Sequence, residues 1–311
     1  MTNASRTAVL LMAYGTPRHV DEIASYYTDI RRGRPPTDEQ LANLTSRYDA
    51  IGGLSPLAAR TEAQRDALQH ALDATTPGQY YVALGLKHAD PQIESTMATL
   101  AADGFRRVIA LVAAPHYSVL SVGQYLARAT AAGELHDIEV VGIESWATEP
   151  AFVEFSAEQV RTQLATMPTN TKVLFTAHSL PERVLTLEGE RYADEVRATA
   201  EQVAAAVGLE HWSQWATAWQ SAGRTSEPWL TPDILTVIDD LAAAENYANG
   251  ERGVLVCAVG FVADHLEVLY DLDIEAAAHA QQRGLAFART ACVNDAPSVM
   301  AALAARVVAE R

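Results

Sequence analysis

Short apolar runs alternate with longer amphipathic stretches along the chain. The apolar runs predict strands over Ala8–Ala13, Tyr81–Leu86, Val108–Ala113, Glu139–Ile143, Lys172–Thr176, Trp215–Trp219 and Gly253–Val259. The amphipathic stretches predict helices over Glu62–Asp73, Pro91–Ala102, Ala151–Met167, Asp194–Val207 and Ala296–Ala309. Strands separated by helices indicate βαβ units and a mostly parallel sheet. The pattern therefore predicts an α/β fold of the doubly wound type.

The length of the chain favours two such domains. Its 311 residues are too many for one ordinary core and suit two domains of about 150 residues. We expect the domains to join near residues 144–150, giving a first domain over 1–147 and a second over 148–311. The last predicted helix, Ala296–Ala309, could pack on either one.

One nine-residue phrase occurs in both halves. Val9–Pro17 aligns without gaps on Val173–Pro181, and Val, Leu, Ala and Pro match in place. Each copy is an apolar run that ends at a turn with proline, which is typical of a buried strand opening into a loop. Tyr14 stands at this exit in one copy and His178 in the other. Ligands bind at the carboxyl ends of strands in open α/β sheets, so both residues are candidates for a site; chance similarity between two strands is the alternative.

Composition excludes several classes of protein. A net charge of −16 argues against a nucleic-acid partner, since phosphate binding needs a basic surface. Cys257 and Cys292 are too few for a disulfide framework or a four-cysteine iron–sulfur cluster. The longest apolar stretch, Val254–Ala263, is far short of the ~20 residues that a membrane helix needs. Met1–Arg6 is not followed by a signal-peptide core, so we expect a soluble cytoplasmic protein without a membrane span.

An acidic stretch follows the strand at Gly253–Val259. In a helix, Glu267, Asp271 and Glu275 are spaced i, i+4, i+8 and form one row, which Asp264 extends at its start. Such a row suits a cation or proton path, whereas the alternative is a solvated acidic face. Apolar neighbours predict that one end of the row is buried, and burial would raise the pKa of a carboxylate there.

The dense basic cluster of the chain is Arg31–Pro36, with Arg47 further on. Two prolines and a glycine predict a loop, and the glycine turn Ile51–Pro56 follows. Arginine forks suit carboxylates, so the functional interpretation is a ligand with several carboxylates. The alternative is surface charge.

Eight ordered motifs resemble those of ferrochelatases, most closely the soluble Gram-positive coproporphyrin III type, from about residue 8 to the C-terminus. They are Met12–Pro17, Ile30–Gly33, Tyr48–Leu57, Gly85–His88, Ala114–Ser118, Ala177–Pro181, Gln220–Gly223 with Pro228–Leu230, and Gly260–Asp271. The resemblance implies two flavodoxin-like domains of the chelatase fold with a porphyrin cleft between them. It also implies a lid loop over about 30–57 and insertion of Fe²⁺ into a porphyrin with release of two protons.

The resemblance also implies roles for individual residues. His178 is then the catalytic histidine and Glu267 its paired glutamate, both at the iron, while Tyr14 faces the opposite side of the macrocycle. Asp271 and Glu275 form an outer site for Mg²⁺ or another divalent ion. The implied contacts to the substrate come from Thr16, Arg31, Arg32, Arg47, Ser55, Lys87 and Tyr125.

The absence of iron–sulfur cysteines and of a membrane-binding segment favours coproporphyrin III over protoporphyrin IX, and the product would be coprohaem III in haem biosynthesis. The Arg cluster agrees, because coproporphyrin III carries four carboxylates. We expect a monomer, with an enzyme of the haem pathway as a transient partner.

Several alternatives stay open. The protein could act on protoporphyrin IX or on another tetrapyrrole. Cobalt chelatases share the two-domain architecture, but they usually carry a second histidine where this chain has Glu267. A haem or coprohaem carrier would use His178 as an axial ligand and would not need Glu267. A scaffold like that of periplasmic binding proteins also has two domains, and the expected lack of a signal peptide counts against it.

Overall fold

The computed structural model describes residues 6–210, 213–223, 225–244 and 251–310. Residues 1–5, considered above for a signal peptide, lie outside these ranges. The chain divides into two compact units. The first unit takes the chain up to Pro115, Leu120–Trp146 and the residues from Asn294 onward, and the second takes His116–Val119 and Ala147–Val293.

The first unit is built on a four-stranded parallel sheet with the order β2-β1-β3-β4. Its strands are β1 (Thr7–Ala13), β2 (Tyr80–Leu86), β3 (Arg107–Val112) and β4 (Glu139–Ile143). β1 lies between β2 and β3 and is buried from Ala8 to Ala13. A parallel strand covered on both faces has no polar side, which explains its continuous apolar run.

Six α-helices accompany this sheet among the described residues. They are α1 (Ile23–Ile30), α2 (Asp38–Ala50), α3 (Leu57–Thr75), α4 (Ile93–Ala102), α5 (Val122–Leu135) and, at the end of the chain, α10 (Pro297–Ala309), which packs on α3. The segment expected to be a lid loop is therefore only about half loop, because α2 occupies its middle. Thr37 and Gln40 exchange side-chain hydrogen bonds with each other's backbone N–H, and this capping box starts α2.

The second unit repeats the same sheet order, as β6-β5-β7-β8. Its strands are β5 (Asn170–His178), β6 (Trp215–Gln220), β7 (Arg252–Cys257) and β8 (Ala286–Arg289). Its helices in the described part are α6 (Pro150–Leu164), α7 (Tyr192–Val207), α8 (Ile234–Ala243), a π-helix (Val268–Ala276) and α9 (Ala277–Gln282). Short 3₁₀ helices occur at Glu182–Thr186 here and at Val20–Glu22 in the first unit.

The structure confirms the seven predicted strands and the five predicted helices. It adds β8, whose four residues are too few for a clear pattern, and the helices α1, α2, α5, α8 and α9. The two copies of the nine-residue phrase form β1 and β5, each flanked by two neighbours in its own sheet. In the described part of the chain, no helix is long and apolar enough to cross a membrane.

Candidate functional site

His178 is the last residue of β5, and its backbone and ring are both held. The Tyr192 hydroxyl donates to the His178 carbonyl at 3.0 Å, and His178 Nδ1 lies 2.5 Å from the Ser179 carbonyl oxygen. A carbonyl only accepts hydrogen bonds, so Nδ1 carries the hydrogen. In the neutral ring the basic nitrogen is then Nε2, which is the atom available to bind a proton or a metal ion.

Glu267 faces that nitrogen. Its Oε1 lies 3.6 Å from His178 Nε2, and the two side chains are 35% and 32% exposed. At 3.6 Å the contact is longer than an ordinary hydrogen bond, and it becomes an ion pair when the imidazole is protonated. Both groups therefore keep access to a ligand while sensing each other's charge.

A second histidine, His265, faces the other oxygen of Glu267. Its Nε2 lies 3.5 Å from Glu267 Oε2, and its Nδ1 lies 2.9 Å from the Ala263 carbonyl oxygen. The carboxylate thus lies between two imidazoles that are held in the same way. The sequence prediction missed His265 as a site residue because it stands only two positions before Glu267, and that spacing does not place residues on one face of a helix. Its place just after β7 was the available signal.

The pKa values of the pair move in opposite directions. Burial alone would lower the pKa of His178, but the Glu267 carboxylate and the Ser179 carbonyl outweigh it and raise the pKa above the usual 6.5. Burial alone would raise the pKa of Glu267, but His178 and then His265 hold it well below its usual range. The expectation of a raised carboxylate pKa was wrong, because it considered burial without the two imidazoles.

The acidic stretch is a π-helix rather than the α-helix assumed for its spacing. Val268, Leu272 and Ala276 in the π-helix, and Ala280 in α9 after it, are all fully buried. Glu267, Asp271 and Glu275 each precede one of the first three, so they still form a row. Asp271 is buried and accepts a short hydrogen bond from Ser221, whereas Glu275 is exposed.

Asp264 does not extend this row. It precedes the helix, and its carboxylate lies 3.2 Å from Arg289 instead. The prediction that Asp264 begins the row was wrong, because the helical geometry starts only after it.

In the first unit, Tyr14 follows β1 and is 42% exposed. Its ring lies 4.6 Å from that of His88, measured between centroids, and His88 donates its backbone N–H to the Tyr14 carbonyl at 3.0 Å. His88 Nδ1 in turn lies 2.6 Å from Asp29 Oδ2. The exit of β1 therefore carries a phenol packed on an imidazole that a carboxylate orients.

Lys87 lies next to this group in a cationic environment. Its ammonium donates to Gln124 at 2.8 Å and lies 5.0 Å from the centre of the Tyr125 ring. Burial, and then Arg128 and Arg32, lower the pKa of Lys87 to about 8. Tyr125 is buried, and burial raises the pKa of its hydroxyl. The structure thus brings Lys87 and Tyr125 together, and Tyr14 lies near enough to Tyr125 for the two phenols to influence each other electrostatically.

The remaining predicted substrate residues are more dispersed. Arg31 lies over the Tyr27 ring at 5.6 Å and donates to the Arg34 carbonyl, in a tight turn where Arg32 has a positive φ of 57°. Arg47 lies in α2, and Thr16 is buried after β1. The Ser55 hydroxyl accepts from the Leu57 N–H at the start of α3.

Metal-ligand sets are sparse in the described residues. No group of three or more His, Cys, Asp or Glu side chains there is placed to hold a metal ion. Cys257 and Cys292 are free and buried. His178 and Glu267 thus face each other without a third side chain of these types placed to complete a metal site in the described residues.

The whole chain matches one protein family. The ferrochelatase family model covers residues 6–311. The chain belongs to the ferrochelatase family. It is 43% identical over 95% of its length to a ferrochelatase of Herpetosiphon aurantiacus, of which it covers 96%. It is 39% identical over 97% of its length to a coproporphyrin III ferrochelatase of Bacillus pumilus, again covering 96%. As a member of this family, the protein is a lyase of the porphyrin metal chelatase type.

Solved structures agree on the chelatase fold. The sirohydrochlorin chelatase SirB of Bacillus subtilis subspecies spizizenii, solved with cobalt, superposes with a TM-score of 0.55 at 10% identity, covering 97% of this chain and 94% of its own. A multi-domain chelatase-like protein of Deinococcus radiodurans gives a TM-score of 0.58 at 13% identity over 97% of this chain. The ferrochelatase chain spans only 54% of that longer protein. At these identities the likeness concerns the fold alone.

Proposed function

We propose that this ferrochelatase inserts Fe²⁺ into coproporphyrin III, giving coprohaem III and two protons, as a step of haem biosynthesis. The observation that carries the proposal is His178 Nε2, which lacks a hydrogen in the neutral ring and faces the Glu267 carboxylate at 3.6 Å. The name of the Bacillus pumilus relative supports the choice of ring.

The reaction exchanges two pyrrole protons for one dication, so the charges balance. In the proposed mechanism His178 Nε2 accepts a pyrrole proton or binds the incoming Fe²⁺, and either role needs the neutral imidazole. Glu267, held ionised by its two histidines, compensates the positive charge that arrives at His178. His265 lies on the far side of the carboxylate and is the next group that can take the proton.

The first unit supplies the proposed contacts to the macrocycle. Tyr14 offers an exposed phenol for one face of the ring. The cations Arg31, Arg32, Arg47 and Lys87 suit the four substrate carboxylates, and hydroxyls at Thr16, Ser55 and Tyr125 add hydrogen-bonding groups. Two propionates fewer, as in protoporphyrin IX, would leave part of this charge without a partner.

Asp271 and Glu275 form the proposed outer site. Two carboxylates and the Ser221 hydroxyl are oxygen donors, and Mg²⁺ is usually held by one or two carboxylates with several waters. The donor set therefore fits a hydrated divalent ion. We further propose that the protein works as a cytoplasmic monomer that passes coprohaem to a later enzyme of the pathway.

An anaerobic absorbance assay tests the function. Purified protein is mixed with Fe²⁺ and either coproporphyrin III or protoporphyrin IX, and metallation is followed in the visible bands. We expect fast conversion of coproporphyrin III and slow conversion of protoporphyrin IX. A preference for protoporphyrin IX would contradict the proposed substrate. Tight binding of either porphyrin without its metallation would favour a carrier.

A further inference from the structure

Arg289, the last residue of β8, holds both ends of the stretch that carries Glu267. Its Nε and Nη2 donate to the two oxygens of Asp273 at 2.6 and 2.9 Å. The same Nη2 lies 3.2 Å from Asp264 Oδ1. Asp264 precedes Glu267 in the sequence and Asp273 follows it. The two carboxylates that Arg289 contacts therefore flank the catalytic carboxylate.

The Arg289–Asp264 pair of this ion network is sheltered from solvent, whereas Asp273 is exposed. The side chains of Arg289 and Asp264 are each 16% exposed, and that of Asp273 is 39% exposed. Ion pairs with little solvent access are screened weakly, and removing one partner of such a pair is costly because the other charge stays uncompensated. The bidentate fork also fixes direction as well as distance.

The π-helix, which follows Asp264 and contains Asp273, needs external support. π-Helices mostly occur as single turns, whereas this one runs for nine residues. Its buried row packs into the core of the second unit, and Ser221 bonds Asp271 in the middle. Arg289 adds the fixed point at the sheet, because its backbone is in register with Val256 of β7.

We propose that Arg289 is a positioning residue for Glu267. By bridging Asp264 and Asp273 it sets the place of the π-helix, and so the distance from the Glu267 carboxylate to His178. This inference rests on the proposed metallation, in which Glu267 acts beside His178. Arg289 itself touches neither the reacting nitrogen nor the carboxylate in the described contacts.

The test measures insertion of Zn²⁺ into coproporphyrin III by Arg289→Lys, which keeps the charge and loses the fork. We expect kcat to fall about 10-fold, as is common when an outer partner of an active-site group is changed, with KM for the porphyrin within about twofold. Arg283→Lys is the matched control, because Arg283 makes an exposed ion pair with Asp239 in the same unit. It should leave kcat within about twofold.

A double-mutant cycle separates positioning from general support of the fold. If Arg289 acts through Glu267, Arg289→Lys should change the residual rate of Glu267→Gln by less than about twofold. Equal losses in both backgrounds, or a raised KM with unchanged kcat, would overturn the inference.

Two further measurements test the inference independently: one does not depend on activity, and the other uses a second variant in case Arg289→Lys does not fold. Amide hydrogen exchange over residues 264–276 should accelerate in Arg289→Lys and not in Arg283→Lys. Asp273→Asn removes the bidentate pair at a more exposed position and keeps the Asp264 contact, so it should fold and lower kcat by about threefold. Unchanged exchange and unchanged kcat in these variants would contradict the proposal.

Discussion

The two units share one sheet order and differ in the charge at their strand exits. Both sheets place the first strand of the unit between the second and third. Beyond β1 and β2, the first unit gathers the cations Lys87, Arg128 and Arg32. Beyond β5 and β7, the second gathers the carboxylates Glu267 and Asp271. The same scaffold thus presents a positive group in one copy and a negative group in the other.

Two histidines show what this difference does. His88 and His178 are both held at Nδ1, the first by the Asp29 carboxylate and the second by the Ser179 carbonyl. Burial, with help from Lys87 and Arg128, lowers the pKa of His88 despite Asp29. Burial acts the same way on His178, but Glu267 reverses the direction. Neighbouring charge rather than the fold therefore decides which imidazole can hold a proton near neutral pH.

Removal of each imidazole in turn is the strongest test of whether the two units differ in their roles. We expect His178→Ala to lower the rate of iron insertion by about 10³-fold, as for loss of a general base or ligand. Porphyrin binding, followed by fluorescence quenching, should stay within about threefold. His88→Ala is the matched variant and should lower the rate of iron insertion less than about 10-fold, since the His88 ring only packs on Tyr14. Similar losses in both would show that the units do not divide the chemistry as proposed.

The second way is to remove a cation from the first unit. Lys87→Met should raise KM for coproporphyrin III about 10-fold and leave kcat within about twofold, because a partly buried ammonium contributes to carboxylate binding rather than to metal insertion. Lys172→Met is the control, since Lys172 is also partly buried but lies in the second unit. A fall in kcat with unchanged KM would place Lys87 in the insertion step instead.

The third way is to reverse the two pKa shifts. Glu267→Gln should lower the pKa of His178, and Lys87→Met should raise that of His88, as read from ring-proton NMR titrations. In the proposed mechanism metallation needs the neutral His178, whose pKa is raised above the usual 6.5, so we expect wild-type activity to rise as pH passes through that raised pKa. In Glu267→Gln the rise should move to lower pH.

The stability contribution of His178 has a matching sign. Its folded pKa exceeds the unfolded one, so the contribution is complete below the unfolded pKa and disappears as pH rises through the folded pKa. Shifts in the same direction at both histidines would contradict the charge comparison.

Much of this arrangement could be predicted from the sequence. Apolar runs of five to seven residues locate strands, and the repeated phrase around Tyr14 and His178 locates equivalent exits. The family motifs locate Glu267. The prediction failed where several contacts compete: the pKa of Glu267 depends on His265 as well as on burial, and Asp264 pairs with Arg289 on a strand too short to recognise. The π-helix could not be predicted, because residues spaced by four also lie on one face of an α-helix.

The smallest effect we predict concerns the outer end of the acidic row. Glu275 is exposed, so its charge is screened, and its effect on a cation is mainly one of attraction from solution. Glu275→Gln should lower the rate about twofold at subsaturating Fe²⁺, with no change at saturation, and 0.5 M salt should abolish the difference, because the Debye length is then only about 4 Å. Glu201→Gln, which removes another exposed charge, from α7, should have no effect at either concentration. A loss of rate that persists at saturating iron and high salt would mean that Glu275 takes part in the insertion step itself, and the functional row would then extend from Glu267 to the surface.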